Sequence, residues 1–128
     1  MNKPTMRSSL SSASGLGSAK EGVEQWWLER VTAAALIPLT LWFTASMVRH
    51  THVGYMAFIA WLRVPLTTIL MVLLLIALFQ HLALGLQVVI EDYVHSAAKL
   101  PAVVIVRFSC FGLAVAGIVA MLRIAFGS

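Results

Sequence analysis

The sequence predicts an all-α membrane protein with three transmembrane helices. Of its 128 residues, 60% are apolar and only 11% are charged, whereas about 25% is the usual charged share of a soluble domain. A soluble domain of this size cannot cover so much apolar surface with polar residues. Three apolar runs, each separated from the next by polar residues, have the length of helices that cross a bilayer.

The three predicted spans are residues 31–48, 64–90 and 101–122. The first is preceded by Trp26 and Trp27, a residue type that favours the lipid headgroup region. The second contains 27 residues and would extend about 40 Å, so it tilts or projects beyond a hydrocarbon core of about 30 Å. The third begins with Pro101, which suits the first turn of a helix.

The segments outside the spans divide the chain into two parts. Residues 1–25 are predicted to be a flexible cytoplasmic tail, and residues 26–128 a three-helix membrane anchor. The tail is rich in serine and lacks the apolar core of a secretory signal, although its basic composition also suits a mitochondrial presequence. Residues 56–62, MAFIAWL, are too short to span and are expected to lie flat on the membrane.

The basic residues predict the orientation of the chain. Six fall on the side of the amino terminus and three on the other side: Lys3, Arg7, Lys20, Arg30, Lys99 and Arg107 against Arg49, Arg63 and Arg123. Because Lys and Arg are enriched on the inner side, we expect a cytoplasmic amino terminus. The predicted location is a bacterial inner (cytoplasmic) membrane, with the mitochondrial inner membrane as the alternative.

The cysteine content limits the chemistry that the chain can carry. Cys110 is the single cysteine, so no disulfide framework and no cysteine-ligated iron–sulfur cluster are expected. The sequence also lacks the C-x-x-C-H motif of covalent haem attachment and any Gly-rich phosphate loop, and nothing in it predicts binding of nucleic acid.

His81 is the histidine that the apolar pattern places deep in the bilayer. It lies 17 residues after Val64 and 10 residues before Glu91, or about 25 Å and about 15 Å along a helix. Ionisable residues at such depth are costly and usually functional. A neutral imidazole there requires either an interhelical hydrogen bond or a metal, and the sequence leaves both open.

The neighbours of His81 favour a haem. Gly85 lies one turn away on the same face and leaves room for a flat ring beside the imidazole, although ordinary helix packing also explains a glycine. His50 and His52 fall in the outer loop and His95 beyond the inner end. A bis-histidine haem at His81 would therefore require its second ligand from another chain.

Three residues at the inner side of the membrane are further site candidates. The hydroxyl of Tyr93 suits a hydrogen bond to a quinone carbonyl, and the carboxylate of Asp92 suits proton supply. An interfacial aromatic residue and a solvated acid are the alternatives. Arg30 suits a haem propionate or, equally, a positive-inside anchor. Arg107 is expected to extend along the membrane to its inner surface.

The pattern H-x3-G-x-Q-x4-D-Y, from His81 through Gly85 and Gln87 to Asp92 and Tyr93, resembles the small cytochrome b subunit of succinate:quinone oxidoreductase, respiratory complex II. The resemblance is to the hydrophobic membrane anchor of that enzyme, and it covers the chain from Trp26 to its end. It includes an Arg-x-Thr-Ala entry to the first span, here Arg30, Thr32 and Ala33. The lead-in SAKEGVEQWW, residues 18–27, is similar to the alphaproteobacterial branch.

The resemblance implies a non-catalytic anchor in a larger enzyme. It implies that His81 is one axial ligand of a haem b iron, that Arg30 lies by the haem propionates, and that Tyr93 and Asp92 belong to the ubiquinone site. The partners implied are a second membrane anchor subunit that supplies the other haem ligand and completes a helical bundle, an iron–sulfur subunit and a flavoprotein subunit. Membrane lipid surrounds the assembly.

Two other functions compete with this hypothesis. The chain is alternatively a haem-bearing or purely structural membrane subunit of another respiratory complex, or a small transporter or assembly factor. A transporter should show more polar residues along its spans or an internal repeat, and the sequence contains neither.

Overall fold

The computed structural model describes the backbone of residues 16–127 and the side chains of residues 22–127. Within this range the chain forms four helices and no strand. They are α1 (Leu16–Arg49), α2 (Tyr55–Leu62), α3 (Pro65–Tyr93) and α4 (Lys99–Phe126). All of the long helices are apolar enough to cross a membrane, over Gly22–Arg49, Pro65–Tyr93 and Lys99–Phe126. The predicted class, an all-α membrane protein with three spans, is confirmed.

The helix ends refine the predicted boundaries. The chain is helical from Leu16, so the boundary predicted at residue 25 falls inside α1. The flexibility of residues 1–25 stays a prediction, and residues 1–15 lie outside the described part. Pro65 occupies the first turn of α3 and Pro101 the first turn of α4, where the missing N–H of proline breaks no helical hydrogen bond.

α3 is the central helix of the fold. It packs against α1 on one side and against α4 on the other, whereas α1 and α4 do not contact each other within the described residues. Leu84 of α3 is the one fully buried large side chain of the part that the structure describes, and Leu74 and Ala77 extend this core along the same helix. The arrangement is therefore an open row of three helices.

α3 and α4 approach closely at Gly117. A Cβ atom at that position would lie 3.1 Å from the Cδ2 atom of Leu75 in α3, which is tighter than ordinary van der Waals contact. The absence of a side chain at Gly117 thus lets the two helices pack closely, as small residues do in membrane proteins.

The short helix α2 lies at the end of the bundle where α3 begins and α4 ends. It packs on both α3 and α4, and its Trp61 ring stacks on His50 at a centroid distance of 4.3 Å. Arg63, which follows α2, donates from Nε to the carbonyl of Ile124 at 2.9 Å. This bond satisfies one of the carbonyls left free at the carboxyl end of α4 and places a cation at the favourable end of its dipole.

Candidate functional site

His81 lies in the interior of α3 and is hydrogen-bonded to α1. It is 16 residues from Pro65 and 12 residues from Tyr93, about 24 Å and about 18 Å from the two helix ends. Its ring is half-buried, and Nδ1 lies 3.0 Å from the Oγ1 atom of Thr32. The interhelical hydrogen bond considered from the sequence is therefore present, and it occupies one ring nitrogen.

The second ring nitrogen of His81 is reachable from outside the chain. Nε2 has no hydrogen-bond partner among the residues whose side chains are described, and no buried side-chain nitrogen or oxygen in that range lacks a partner. An unpartnered Nε2 on a half-buried ring must therefore be accessible. The imidazole is held at one nitrogen and open at the other.

The surface next to His81 is open as well. Gly85, one turn further along α3, is exposed, and a Cβ atom placed there would meet nothing within 4 Å in the described chain. Val88 and Asp92 continue the same face and are also exposed. This strip from His81 to Asp92 is consequently free to receive a flat group or a second protein chain.

No other described histidine lies at the depth of His81. Because Thr32 contacts His81, the level of His81 on α1 is known, and His50 follows Thr32 by 18 residues, about 27 Å along the helix. His95 lies beyond the carboxyl end of α3. The described residues also contain no cluster of three or more His, Cys, Asp or Glu side chains with metal-binding geometry. Among the described residues, His81 is therefore the one histidine at that depth.

Arg30 lies in the middle part of α1 (Leu16–Arg49) and has an aromatic partner. Its guanidinium carbon is 5.1 Å from the centroid of the Trp26 ring, a distance at which a cation–π attraction operates. Arg30 and Thr32 are two residues apart and thus about 200° apart around the helix axis. The guanidinium is exposed, but it does not share the face of α1 that contacts His81.

Asp92 and Tyr93 are the last two residues of α3. Tyr93 is 80% exposed and Asp92 is also exposed. The helix stops immediately afterwards, where the N–H of Val94 donates to the carbonyl of Ile90 at 2.8 Å. Tyr93 is about 18 Å along the axis from His81, so the two predicted sites occupy separate levels of one helix.

Arg107 makes a hydrogen bond to the central helix, and its extension to the inner membrane surface stays a prediction. Its Nε atom donates to the Oε1 atom of Gln87 in α3 at 3.0 Å. Gln87 in turn donates from Nε2 to Glu91 at 2.8 Å. A chain of hydrogen bonds therefore ties the start of α4 to the last turns of α3. The i, i+4 spacing of Gln87 and Glu91 was the available sequence signal.

A groove of about 680 Å³ lies between α3 and α4, and His81 is not among its lining residues. Gln80 and Arg107 are the polar members of its otherwise apolar lining. His81 faces α1 instead. The groove and the accessible side of His81 are therefore two separate features of the described chain.

Comparison with known proteins agrees with this architecture. The family model of the succinate dehydrogenase/fumarate reductase transmembrane subunit matches residues 4–121. The chain belongs to this family. The relationship predicted from the motif around His81 is therefore confirmed.

Individual members of the family are similar over most of their length. The succinate dehydrogenase hydrophobic membrane anchor subunit of Rickettsia bellii (strain RML369-C) is 34% identical over 107 residues, which cover 84% of this chain and 85% of that protein. The subunit of the same name from Paracoccus denitrificans is 27% identical over 116 residues, 91% of this chain and 90% of that protein. Both organisms are alphaproteobacteria, the group that the lead-in to the first span had suggested.

The contact between Thr32 and His81 was not predicted from the sequence of this member of the transmembrane-subunit family. Thr32 was quoted as part of the entry to the first span, without a role of its own. The structure brings its buried hydroxyl to the imidazole of His81. Only the register of α1 against α3 reveals this pairing.

The Arg107–Gln87–Glu91 chain generates a testable prediction. Gln87→Leu removes both hydrogen bonds, so we expect the carboxyl end of α3 and the first part of α4 to separate more readily, at a cost of about 0.6–1.7 kcal/mol, as for other interhelical hydrogen bonds. Hydrogen exchange at the backbone amides of residues 88–94, measured in detergent, should become correspondingly faster. Gln80→Leu is the matched control, since Gln80 is an exposed glutamine two turns earlier on the same helix. Equal exchange in the two variants would contradict the role of Gln87.

Proposed function

We propose that the chain is a membrane anchor subunit of succinate dehydrogenase that shares a haem b with a second anchor subunit and contributes to the ubiquinone-reduction site. The proposal rests on the imidazole of His81 in the interior of α3, which is hydrogen-bonded at Nδ1 and accessible at Nε2. The chain that holds it belongs to the succinate dehydrogenase/fumarate reductase family. The relatives' name, hydrophobic membrane anchor subunit, supports the anchoring role.

The residues around His81 fit a shared haem. Nε2 is accessible, Gly85 leaves space beside the ring, and the described histidines supply no second ligand at this depth. A bis-histidine haem would add one-electron chemistry to the assembly. The chain's own part would be to hold one axial imidazole at a fixed depth, with Arg30 of α1 as the group for a propionate. Arg30 would reach a propionate by leaving the ring of Trp26.

The inner end of α3 fits one wall of a quinone site. The Tyr93 hydroxyl is exposed and lies where an apolar helix ends, so it meets both the lipid that would hold a quinone tail and the water that supplies protons. A donor in this position stabilises charge that develops on a quinone oxygen. Asp92 beside it provides a carboxylate for proton supply, and the remaining contacts would come from partner chains.

The proposed anchoring role implies partner subunits that carry out the oxidation of succinate. The flavin and iron–sulfur chemistry of succinate oxidation would belong to a flavoprotein subunit and an iron–sulfur subunit. This chain would fix them at a bacterial inner membrane. The amino terminus is proposed to be cytoplasmic, on the side of Asp92 and Tyr93.

The haem role is tested by His81→Ala in the purified complex. We expect loss of the low-spin bis-histidine b signal in the reduced-minus-oxidised spectrum, because no other histidine of the described chain lies at that level. His95→Ala, beyond the carboxyl end of α3, is the control and should retain the signal. An unchanged spectrum in His81→Ala would exclude His81 as a ligand. Electron transfer to quinone need not stop with the haem, so the spectrum and not the turnover is the measurement.

The quinone role is tested by Tyr93→Phe, which removes the hydroxyl and keeps the ring. We expect succinate:quinone activity to fall about tenfold, the effect of one lost hydrogen bond of about 1.4 kcal/mol. Succinate oxidation by a soluble acceptor should persist, and Asp92→Asn should have a milder effect.

The control for Tyr93 is Tyr55→Phe, because Tyr55 is the other tyrosine of the chain. It is similarly exposed and lies at the start of α2, at the opposite end of the helical bundle. Wild-type quinone affinity, turnover and inhibitor binding in Tyr93→Phe would remove the tyrosine from the site and leave it as an interfacial aromatic residue.

The orientation is tested with a reporter enzyme that matures only outside the membrane. Fused after Ser128, it should be active, because three spans with a cytoplasmic amino terminus place the carboxyl terminus outside. Fused in the loop before Lys99, it should be inactive. The reverse pattern would overturn the orientation inferred from the basic residues.

A further inference from the structure

The hydroxyl of Thr32 lies within hydrogen-bond distance of three atoms but has a single proton to donate. Its oxygen lies 2.6 Å from the carbonyl oxygen of Leu28, 3.2 Å from that of Glu29 and 3.0 Å from His81 Nδ1. A hydroxyl carries one proton, and carbonyl oxygens only accept. The short contact to Leu28 therefore takes the proton of Thr32. The contact with His81 is a hydrogen bond only if the imidazole nitrogen donates, which requires the proton on Nδ1.

We propose that Thr32 is the positioning residue that selects the tautomer of His81 and aims its Nε2 lone pair at an iron. In a neutral imidazole one nitrogen carries the proton and the other holds a lone pair. With the proton fixed on Nδ1, Nε2 is left as the ligand atom. This inference rests on the proposed role of His81 as a haem ligand and adds the residue that prepares it.

The position of the Thr32 oxygen is set by the backbone of α1. The hydroxyl bonds back to the preceding turn, a geometry that restricts its rotamer, and the residue is only 8% exposed. The acceptor for His81 is therefore a fixed point on a helix rather than a mobile side chain. A ring held in this way keeps one orientation relative to α1.

The hydrogen bond should also influence the iron. A hydrogen-bond acceptor for the nitrogen that does not bind the metal raises the basicity of a ligating imidazole. Loss of such an acceptor commonly lowers metal affinity about ten- to a hundredfold. A more basic ligand favours the oxidised iron. Removing the acceptor should consequently raise the midpoint potential of the haem and weaken its retention.

The experiment compares Thr32 variants in the complete complex. Thr32→Val keeps the shape and removes the hydroxyl, whereas Thr32→Ser keeps the hydroxyl. Thr40→Val is the control, because Thr40 makes the same back-bonds, to Leu36 at 2.5 Å and Ile37 at 3.2 Å, without a histidine partner. The readouts are the haem midpoint potential and the rate of haem transfer to excess apomyoglobin.

We expect a raised potential and faster haem loss in Thr32→Val, with wild-type values in Thr32→Ser and Thr40→Val. Equal values in Thr32→Val and Thr40→Val would overturn the role of Thr32 and leave His81 as a ligand. Should Thr32→Val not assemble, Thr32→Ala and Thr32→Ser differ only in the hydroxyl, and equal potentials in that pair would also overturn it. Failure of the haem proposal itself is distinct, since it appears as an unchanged spectrum in His81→Ala.

Discussion

Hydrogen bonds between helices are the interaction on which this fold depends. In a bilayer, apolar side chains gain little by packing against each other instead of against lipid, so polar contacts and close packing decide how helices associate. The described residues place one polar contact at each junction. Thr32 binds His81 between α1 and α3, Arg107 binds Gln87 between α3 and α4, and Arg63 binds the end of α4. Gly117 adds the close approach.

The central helix α3 makes different contacts on its two faces. His81, Gly85 and Asp92 lie on one side, next to α1 and otherwise open, while Gln87 and Glu91 lie on the side of α4. The α4 side combines contacts within the chain with the groove between α3 and α4. The side of His81 is the one on which the proposed cofactor and partner subunit would bind.

The spans and the residues at their ends were predictable because composition and length determine what a bilayer accepts. Asp92 and Tyr93 were expected at the polar end of the second span, and α3 does end with them. Thr32 could not be assigned, since hydropathy contains no information on the register between two helices. The bond from Arg107 to Gln87 could not be assigned for a related reason: it depends on how closely α4 packs against α3, which no property of α4 alone reveals.

The open row of helices has an energetic consequence. Since α1 and α4 do not touch each other in the described chain, strain introduced at one face of α3 has no direct path to the other. Free-energy changes from substitutions at distant points of the two interfaces should therefore be nearly additive, as for residues that share no partner. The α1–α3 interface can therefore adjust its packing while the α3–α4 interface keeps its own.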